Sequence, residues 1–355
     1  MVPKQTISRI LEEYDGDLMI STICSHTSLQ IFHGAKKEGF KTLGIAIGDI
    51  PKFYRAFPLA EPDEFLVIGE YSEVSDNVDD LISKHAVLVP HGSFVEYVGS
   101  KVFEDLEVPT FGNRRVLEWE SDRKKERQWL ESAGIKMPAL IEKPEDIDRP
   151  VLVKYHGAKG GRGFFIAKDY HDFKVGIDLN QPYSIQEYIL GTRYYVHFFY
   201  SPIKEEGYRL SKGSLEILGM DRRDESNIDE MYKLGAQESL KKLGIFPTFI
   251  VTGNVPIVLR ESLLPKAFEM GEEVVERSIE LFGGMVGPFC LETIVTDELE
   301  IKVFEISSRI VAGTNLYTSG SSYSEYLEEN MSTGRRIARE LRMALELERL
   351  PEVTS

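Results

Sequence analysis

Two stretches hold the residues best suited to chemistry. The first is 151–163, V-L-V-K-Y-H-G-A-K-G-G-R-G. An apolar run, Val151 to Val153, ends in Lys154. Gly157, Gly160, Gly161 and Gly163 follow, interspersed with Lys159 and Arg162, before a second apolar run, Phe164 to Ala167. Two β-type runs around a glycine-rich tip predict a hairpin. Glycine lets backbone N–H groups approach an anion, and lysine and arginine add charge, so the matching ligand is a polyphosphate. A Walker loop is excluded, because Phe164 and Phe165 stand where a helix should open, and a dinucleotide fingerprint fails for the same reason. Taken alone, the stretch reads first as a flexible surface hairpin.

The second stretch holds a pair of acids. Residues 288–292, P-F-C-L-E, and 301–305, I-K-V-F-E, each end an apolar run in glutamate, and Thr296-Asp297-Glu298 supplies a turn between them. Antiparallel pairing brings Glu292 and Glu305 side by side. Adjacent carboxylates repel unless a proton or cation joins them. Oxygen ligands suit Mg²⁺, which is commonly held by one or two carboxylates plus substrate phosphates. Arg309, four residues beyond Glu305, is within reach of the same pocket. The plain alternative is a surface hairpin with exposed glutamates. Together, however, a cationic glycine loop and a carboxylate pair are what ATP-dependent phosphoryl transfer requires.

These groups need a scaffold. Ile7, Ile10, Leu11 and Tyr14 share one face of an opening helix. Residues 17–24, 42–47, 65–68, 86–90 and 108–111 read as strands, with a helix from Ser25 or Thr27 (either a plausible N-cap) to Gly39 and a short one over 76–83. Alternating strands and helices imply a parallel sheet with both faces covered, and ligands of such sheets lie beyond the strand carboxyl ends. Ser25-His26-Thr27-Ser28 and His91-Gly92-Ser93 fall there, each opening a helix whose amides favour an anion. Further on, one helix is expected over 121–133, strands over 184–191, 194–200 and 248–251, and a helix over 265–281. The aromatic run 194–200 reads as core, 203–214 as a solvated hairpin, 221–226 as a solvated charged loop, 252–254 as a turn, and the 335–349 helix as packed on the outside.

The 355 residues can bury a sizeable core in two or three domains. Hydrophobic content of 42% and charged content of 28% are ordinary for a globular protein. A net charge of −16 argues against nucleic acid or an anionic membrane as main partner. Cys24 and Cys290, the only cysteines, lie far apart and read as reduced thiols of a cytoplasmic protein. No apolar stretch has the length of a membrane span, and the N-terminus has no signal-peptide pattern.

The order of these features resembles the ATP-grasp superfamily: Arg123 in a helix, Lys154 before the glycine hairpin, Gln186-Glu187-Tyr188-Ile189, then Glu292 and Phe304-Glu305-x-x-x-Arg309. Arg123 stands where a lysine is frequent, and Ser307 where an asparagine is. The likeness sharpens to the archaeal PurP family in Ser25-His26-Thr27-Ser28-Leu29-Gln30, Pro90-His91-Gly92-Ser93-Phe94, Phe111-Gly112-Asn113-Arg114-Arg115, Glu225-Ser226-Asn227, Gly253-Asn254-Val255-Pro256 and Ser332-Thr333-Gly334-Arg335-Arg336. The 203–214 hairpin is longer than usual in that family, and Tyr232-Lys233-Leu234-Gly235-Ala236 departs from its pattern.

The resemblance implies an α/β and α+β architecture: an ATP-grasp fold with an N-terminal parallel α/β (pre-ATP-grasp) domain. Expected units are 1–118 for the nucleotide substrate, 119–200 with the glycine hairpin, and 201–355 with the metal-binding strands. The implied activity is formate-dependent formylation of 5-aminoimidazole-4-carboxamide ribonucleotide (AICAR) to its 5-formamido product (FAICAR), an ATP-dependent ligase step of purine biosynthesis. His26, Ser93 and Asn254 would contact AICAR. Glu292 and Glu305 would hold Mg²⁺ or Mn²⁺. ATP would meet Arg123, Lys154, Gly157, Lys159, Gly160, Gly161, Gly163, the backbone of Glu187, Tyr188 and Ile189, and Glu225. Arg309 is the expected formate contact, His26 a candidate for orienting the nucleotide or accepting a proton, and a homo-oligomer is expected. A ligase for another acid or amine, and a non-catalytic nucleotide-binding paralogue, are the alternatives.

Overall fold

The computed structural model describes residues 2–155, 163–225, 235, 237–243 and 250–355. Thirteen strands among them form three sheets. The first is parallel, in the order β3-β2-β1-β4, with β1 Met19–Ile23, β2 Lys41–Ile47, β3 Glu64–Ile68 and β4 Ala86–Leu88. Every residue of β1 is buried, as a strand covered on both faces requires. The helix Lys4–Glu13 buries Ile7, Ile10 and Leu11, and Tyr14 follows them into the core, as their spacing predicts. The 108–111 stretch is reduced to an isolated parallel bridge, Leu88 to Thr110, held by the Phe111 amide on the Leu88 carbonyl, and Phe111 also bridges Thr354.

The second sheet is antiparallel, β6-β5-β7, from β5 Val151–Tyr155, β6 Phe164–Ala167 and β7 Tyr183–Glu187. It is closed underneath by Val151, Val153, Ala167, Phe173 and Ile185. The third runs β11-β10-β8-β12-β13, from β8 Thr192–Ser201, β9 Tyr208–Arg209 (paired to the flank of β10), β10 Ser214–Glu225, β11 Val251–Pro256, β12 Gly287–Val295 and β13 Ile301–Ser307. Its β8 is the aromatic run read as core. Alternation gives that strand two different faces. Val196, Phe198 and Tyr200 share a core with Ala267, Met270 and Val274 of the helix Leu264–Phe282. Gly271 permits this contact: a Cβ there would lie 2.8 Å from Leu215 and Phe198. Tyr195 and His197 project from the other face.

Several expectations need correction. The expected 121–133 helix is present as Arg123–Ser132, but a further helix, Val116–Ser121, runs up to it. Asp122 between them is extended and its carboxylate caps the second helix through the amides of Lys124 and Lys125. Neither Ser25 nor Thr27 caps the helix Ser28–Lys37: Thr27 occupies the N-cap position without a side-chain bond, and the Ser25 hydroxyl pairs with Ser93. After β4 a helix opens at Gly92 and Ser93 as expected, but it continues as a π-type turn, Phe94–Val98, stopped by Gly99 at φ +85°, before an α-helix over Ser100–Asp105. Residues 221–225 are not a solvated loop but the end of β10, and 252–254 are not a turn but part of β11. The C-terminal helix Thr333–Glu346 is no outer layer. It packs on Ser28–Lys37 so closely that a Cβ on Gly34 would sit 2.2 Å from the Arg335 amide, and one on Gly334 2.2 Å from the Gln30 carbonyl.

Candidate active site

Residues directly opposed on neighbouring strands project from the same face. Across the third sheet the register opposes Asp221, Tyr195, Glu292 and Glu305 in one row over β10, β8, β12 and β13. The adjoining row is Gly219, His197, Cys290 and Ser307. Asn254 on β11 lies opposite Arg223. This face of the sheet is therefore dense in polar groups, most of them buried.

Glu292 and Glu305 are direct partners across β12 and β13, as the two apolar runs predict. Each carries an arginine. Arg223 binds Glu292 with both nitrogens of its fork, at 2.8 and 3.2 Å, while its guanidinium lies 3.7 Å from the Tyr195 ring centre. Arg123 reaches Glu305 at 3.1 Å and Glu126 at the same distance. Burial and then the Glu305 charge raise the pKa of Glu292, and Arg223 opposes both. Glu126, which also accepts the Ile306 amide, is pushed up to about 7 by burial and then Glu305. Among the described residues no third acid, histidine or cysteine completes a metal cluster. Two facing carboxylates with hard oxygen donors fit a divalent cation whose remaining ligands come from phosphate and water.

Lys154 enters from β5, bonded to Gln186 at 3.2 Å. Burial lowers its pKa, and the charges of Glu305, Arg123 and Arg193 all act on it. The base of the glycine hairpin thus faces the acid pair. Gly163 is left-handed at φ +81°, and its carbonyl accepts the Tyr155 amide at 2.8 Å. Gly157, Lys159, Gly160, Gly161 and Arg162 lie outside the described residues, as do Ser226 and Asn227. Glu187 pairs with Lys302 at 2.8 Å, so its carboxylate is engaged within the protein. The Tyr188 amide bonds Pro150 at 3.0 Å, and Tyr188 and Leu190 are exposed beside Ile189. Glu225 pairs with Arg193 at 2.8 Å.

The two turns of the parallel sheet meet. His26, left-handed at φ +49°, stacks on His91 with ring centres 5.8 Å apart. The Ser93 hydroxyl donates to Ser25 at 3.1 Å. His91 is fully buried, its Nε2 on the Ile23 carbonyl and its Nδ1 accepting the Ser93 amide. Arg309 lies beside both turns: a Cβ on Gly92 would be 3.4 Å from its guanidinium carbon and 3.6 Å from His26 Nε2. Arg309 is tied to partly buried Glu120 at 3.0 Å, while its Nε has no partner among the described residues. Desolvation of the His26 ring, then Arg309 and Arg223, lower its pKa, a shift tempered by the exposure of the residue as a whole.

Sequence reasoning missed Asp221, Arg223, Glu120, Glu126, Tyr195 and His197. For Asp221 and Arg223 a signal was present. The mostly apolar stretch Leu215-Glu216-Ile217-Leu218-Gly219-Met220 leads into the charges of 221–225 with no proline or Asn-Gly turn signal between them, so a strand can run on. Glu120 and Glu126 flank the break at Asp122 between two helices, the first of which was not expected from the sequence.

Comparisons with known proteins agree over the whole chain. Family models described as "Protein of unknown function (DUF1246)" and "Domain of unknown function (DUF1297)" match residues 20–141 and 176–355. The 5-formaminoimidazole-4-carboxamide-1-(beta)-D-ribofuranosyl 5'-monophosphate synthetase of Methanococcoides burtonii is 62% identical over the full length of both chains. Its namesake in Ignicoccus hospitalis is 48% identical, covering 98% of this chain and 99% of that one. The crystal structure of the IMP biosynthesis protein PurP from Thermococcus kodakaraensis superposes with a TM-score of 0.72 at 35% identity, covering 95% of this chain and all of that one. The chain belongs to the PurP family. N5-carboxyaminoimidazole ribonucleotide synthetase from Thermotoga maritima shares the fold alone, with a TM-score of 0.58 at 19% identity and coverage of 92% and 76%. The PurP fold here is an ATP-grasp fold, with the parallel sheet ahead of the two antiparallel ones.

Proposed function

We propose that this chain is an ATP-dependent ligase that formylates the 5-amino group of AICAR with formate, giving FAICAR, ADP and phosphate in purine biosynthesis. The observation that carries the reading is the opposed pair Glu292 and Glu305, with Lys154 feeling the charge of Glu305 and Glu292 that of Arg309. Full-length identity to synthetases of that name supports the substrate assignment.

Lys154 and the glycine hairpin bind the triphosphate, and the apolar edge at Tyr188 and Leu190 suits a base seated on the Glu187–Ile189 backbone. Glu292 and Glu305 would hold Mg²⁺ or Mn²⁺, which when bound offsets charge on the phosphoryl oxygens. Arg309 binds formate, whose carboxylate displaces ADP from the γ-phosphorus and forms formyl phosphate. His26, Ser93 and Asn254 hold AICAR so that its 5-amino nitrogen attacks the formyl carbon. The C–O bond to phosphate breaks as the C–N bond forms, and phosphate leaves. Amine attack wins over water because both reactants are held together, a proximity gain worth several kcal/mol, on the order of 7–11 in favourable cases. The deciding experiment incubates the protein with ATP, formate, a divalent cation and AICAR and looks for a product one formyl group heavier by mass. Phosphate release must require formate. Absence of that product, or release without formate, defeats the reading.

A further inference from the structure

We infer that Asp221, itself anchored by His197, turns the side chain of Asn254 so that its carbonyl oxygen faces the ligand, making an acceptor-only subsite that selects the carboxamide of the nucleotide over a carboxylate. The inference rests on the reaction proposed above and adds to it a positioning residue and a basis for specificity.

Asp221 is fully buried on β10. One carboxylate oxygen, Oδ1, bonds His197 Nε2 at 2.7 Å, and the other, Oδ2, bonds Asn254 Nδ2 at 2.7 Å. A carboxylate only accepts, so His197 Nε2 must carry its proton and Asn254 must present its NH₂ group to Asp221. The Asn254 carbonyl then points the other way, and among the described residues it has no hydrogen-bond partner. Flipping the amide would set two acceptors at bonding distance inside a buried site. Asp221 cannot swing aside either. Its neighbours across the register are Tyr195 and Pro256, and the Gly313 backbone closes on it: a Cβ at 313 would fall 2.2 Å from Oδ1. The amide is locked from behind.

A carboxamide offers N–H donors to such an oxygen, whereas a carboxylate at the same ring position offers only acceptors. A site built to hydrogen-bond a donor discriminates strongly against a ligand lacking it, because its own polar group is left unpaired.

The test measures, for wild type, Asp221→Asn and Asn254→Ala, the KM for AICAR, ATP and formate and the inhibition constant of the 4-carboxylate analogue of AICAR. In Asp221→Asn the new NH₂ group lets the Asn254 amide turn round and show a donor. Expected is a rise of about tenfold in the KM for AICAR and a comparable fall in discrimination against the carboxylate, with KM for ATP and formate within about twofold. Asn254→Ala leaves the buried Asp221–His197 pair intact and should lose the same discrimination, so it decides the matter should Asp221→Asn fail to fold. Wild-type turnover of AICAR with the discrimination kept in a folded variant overturns the subsite while leaving the reaction standing. A wild type that forms no product overturns the reaction, and the subsite with it.

Discussion

Arg223 grips Glu292 through both ends of its guanidinium, at 2.8 and 3.2 Å, with the Tyr195 ring beneath it. Across the strand pair Arg123 does the same service for Glu305. The repulsion of two facing carboxylates is thus offset by the protein's own cations, and the pair is held in place before any ligand arrives.

Neutralising either acid should remove the proposed cation site without disturbing the sheet. Glu292→Gln and Glu305→Gln are expected to lower formate-dependent turnover by about 10²-fold or more, with the wild-type melting temperature kept within a few degrees for the more exposed Glu305→Gln. Titrating Mg²⁺ and Mn²⁺ against activity and against thermal stability checks this. A variant that keeps full activity and the wild-type metal dependence would remove these residues from the site.

Breaking the Arg223 contact should be costly for a different reason. Glu292 is 4% exposed, and an unpaired charge there has neither water nor partner. Arg223→Met is expected to destabilise the fold by about 3–5 kcal/mol, and the double variant with Glu292→Gln to recover more than half of that. Denaturant unfolding of the four proteins gives the coupling; additive effects would mean that the contact contributes nothing.

Acid should destabilise the protein through His91. Its neutral form is written into the structure, one ring nitrogen donating to Ile23 and the other accepting from Ser93. Burial pushes its pKa down to about 3 from an ordinary 6.5. A group depressed on folding binds its proton first in the unfolded chain. The stability it contributes is complete above about pH 6.5 and is lost as pH falls toward 3, at up to about 1.4 kcal/mol per pH unit for one proton. His91→Asn should flatten the decline of melting temperature between pH 6.5 and 4 relative to wild type. An unchanged slope would assign the acid sensitivity elsewhere.

The close helix pair should tolerate no methyl group. Gly34→Ala places a carbon 2.2 Å from backbone on the facing helix, with nothing flexible to yield. Separation of Ser28–Lys37 from Thr333–Glu346 should cost about 1–3 kcal/mol or more, seen as a lower denaturation midpoint. Half-buried Gly253, where a Cβ meets none of the described residues, is the control.

The amino-acid sequence by itself determined most local elements and the strand pair that carries Glu292 and Glu305. Apolar runs ending in Glu292 and Glu305 around a turn predict two paired strands, but the direct opposition of the acids rests on a bulge between Glu292 and Thr293, since the Thr293–Val303 register alone would set Glu292 against Phe304. Val151–Tyr155 and Phe164–Ala167 were legible from the same apolar pattern, and so was the buried face of the opening helix. Charge patterns misled where burial reverses their meaning. The 221–225 cluster looks solvated in isolation, yet β10 carries it into the centre of a sheet where Arg223 meets Glu292, 69 residues on, and Asp221 meets His197 and Asn254. The Thr333–Glu346 helix is likewise rich in charge but buries Arg336 between Glu216 and Glu340. Such partners lie on different strands and helices, and their distances follow from strand order and register rather than from spacing along the chain. Only the tertiary structure decides which charges end up paired, because desolvation penalises a buried ion severely unless the fold itself delivers its counter-charge.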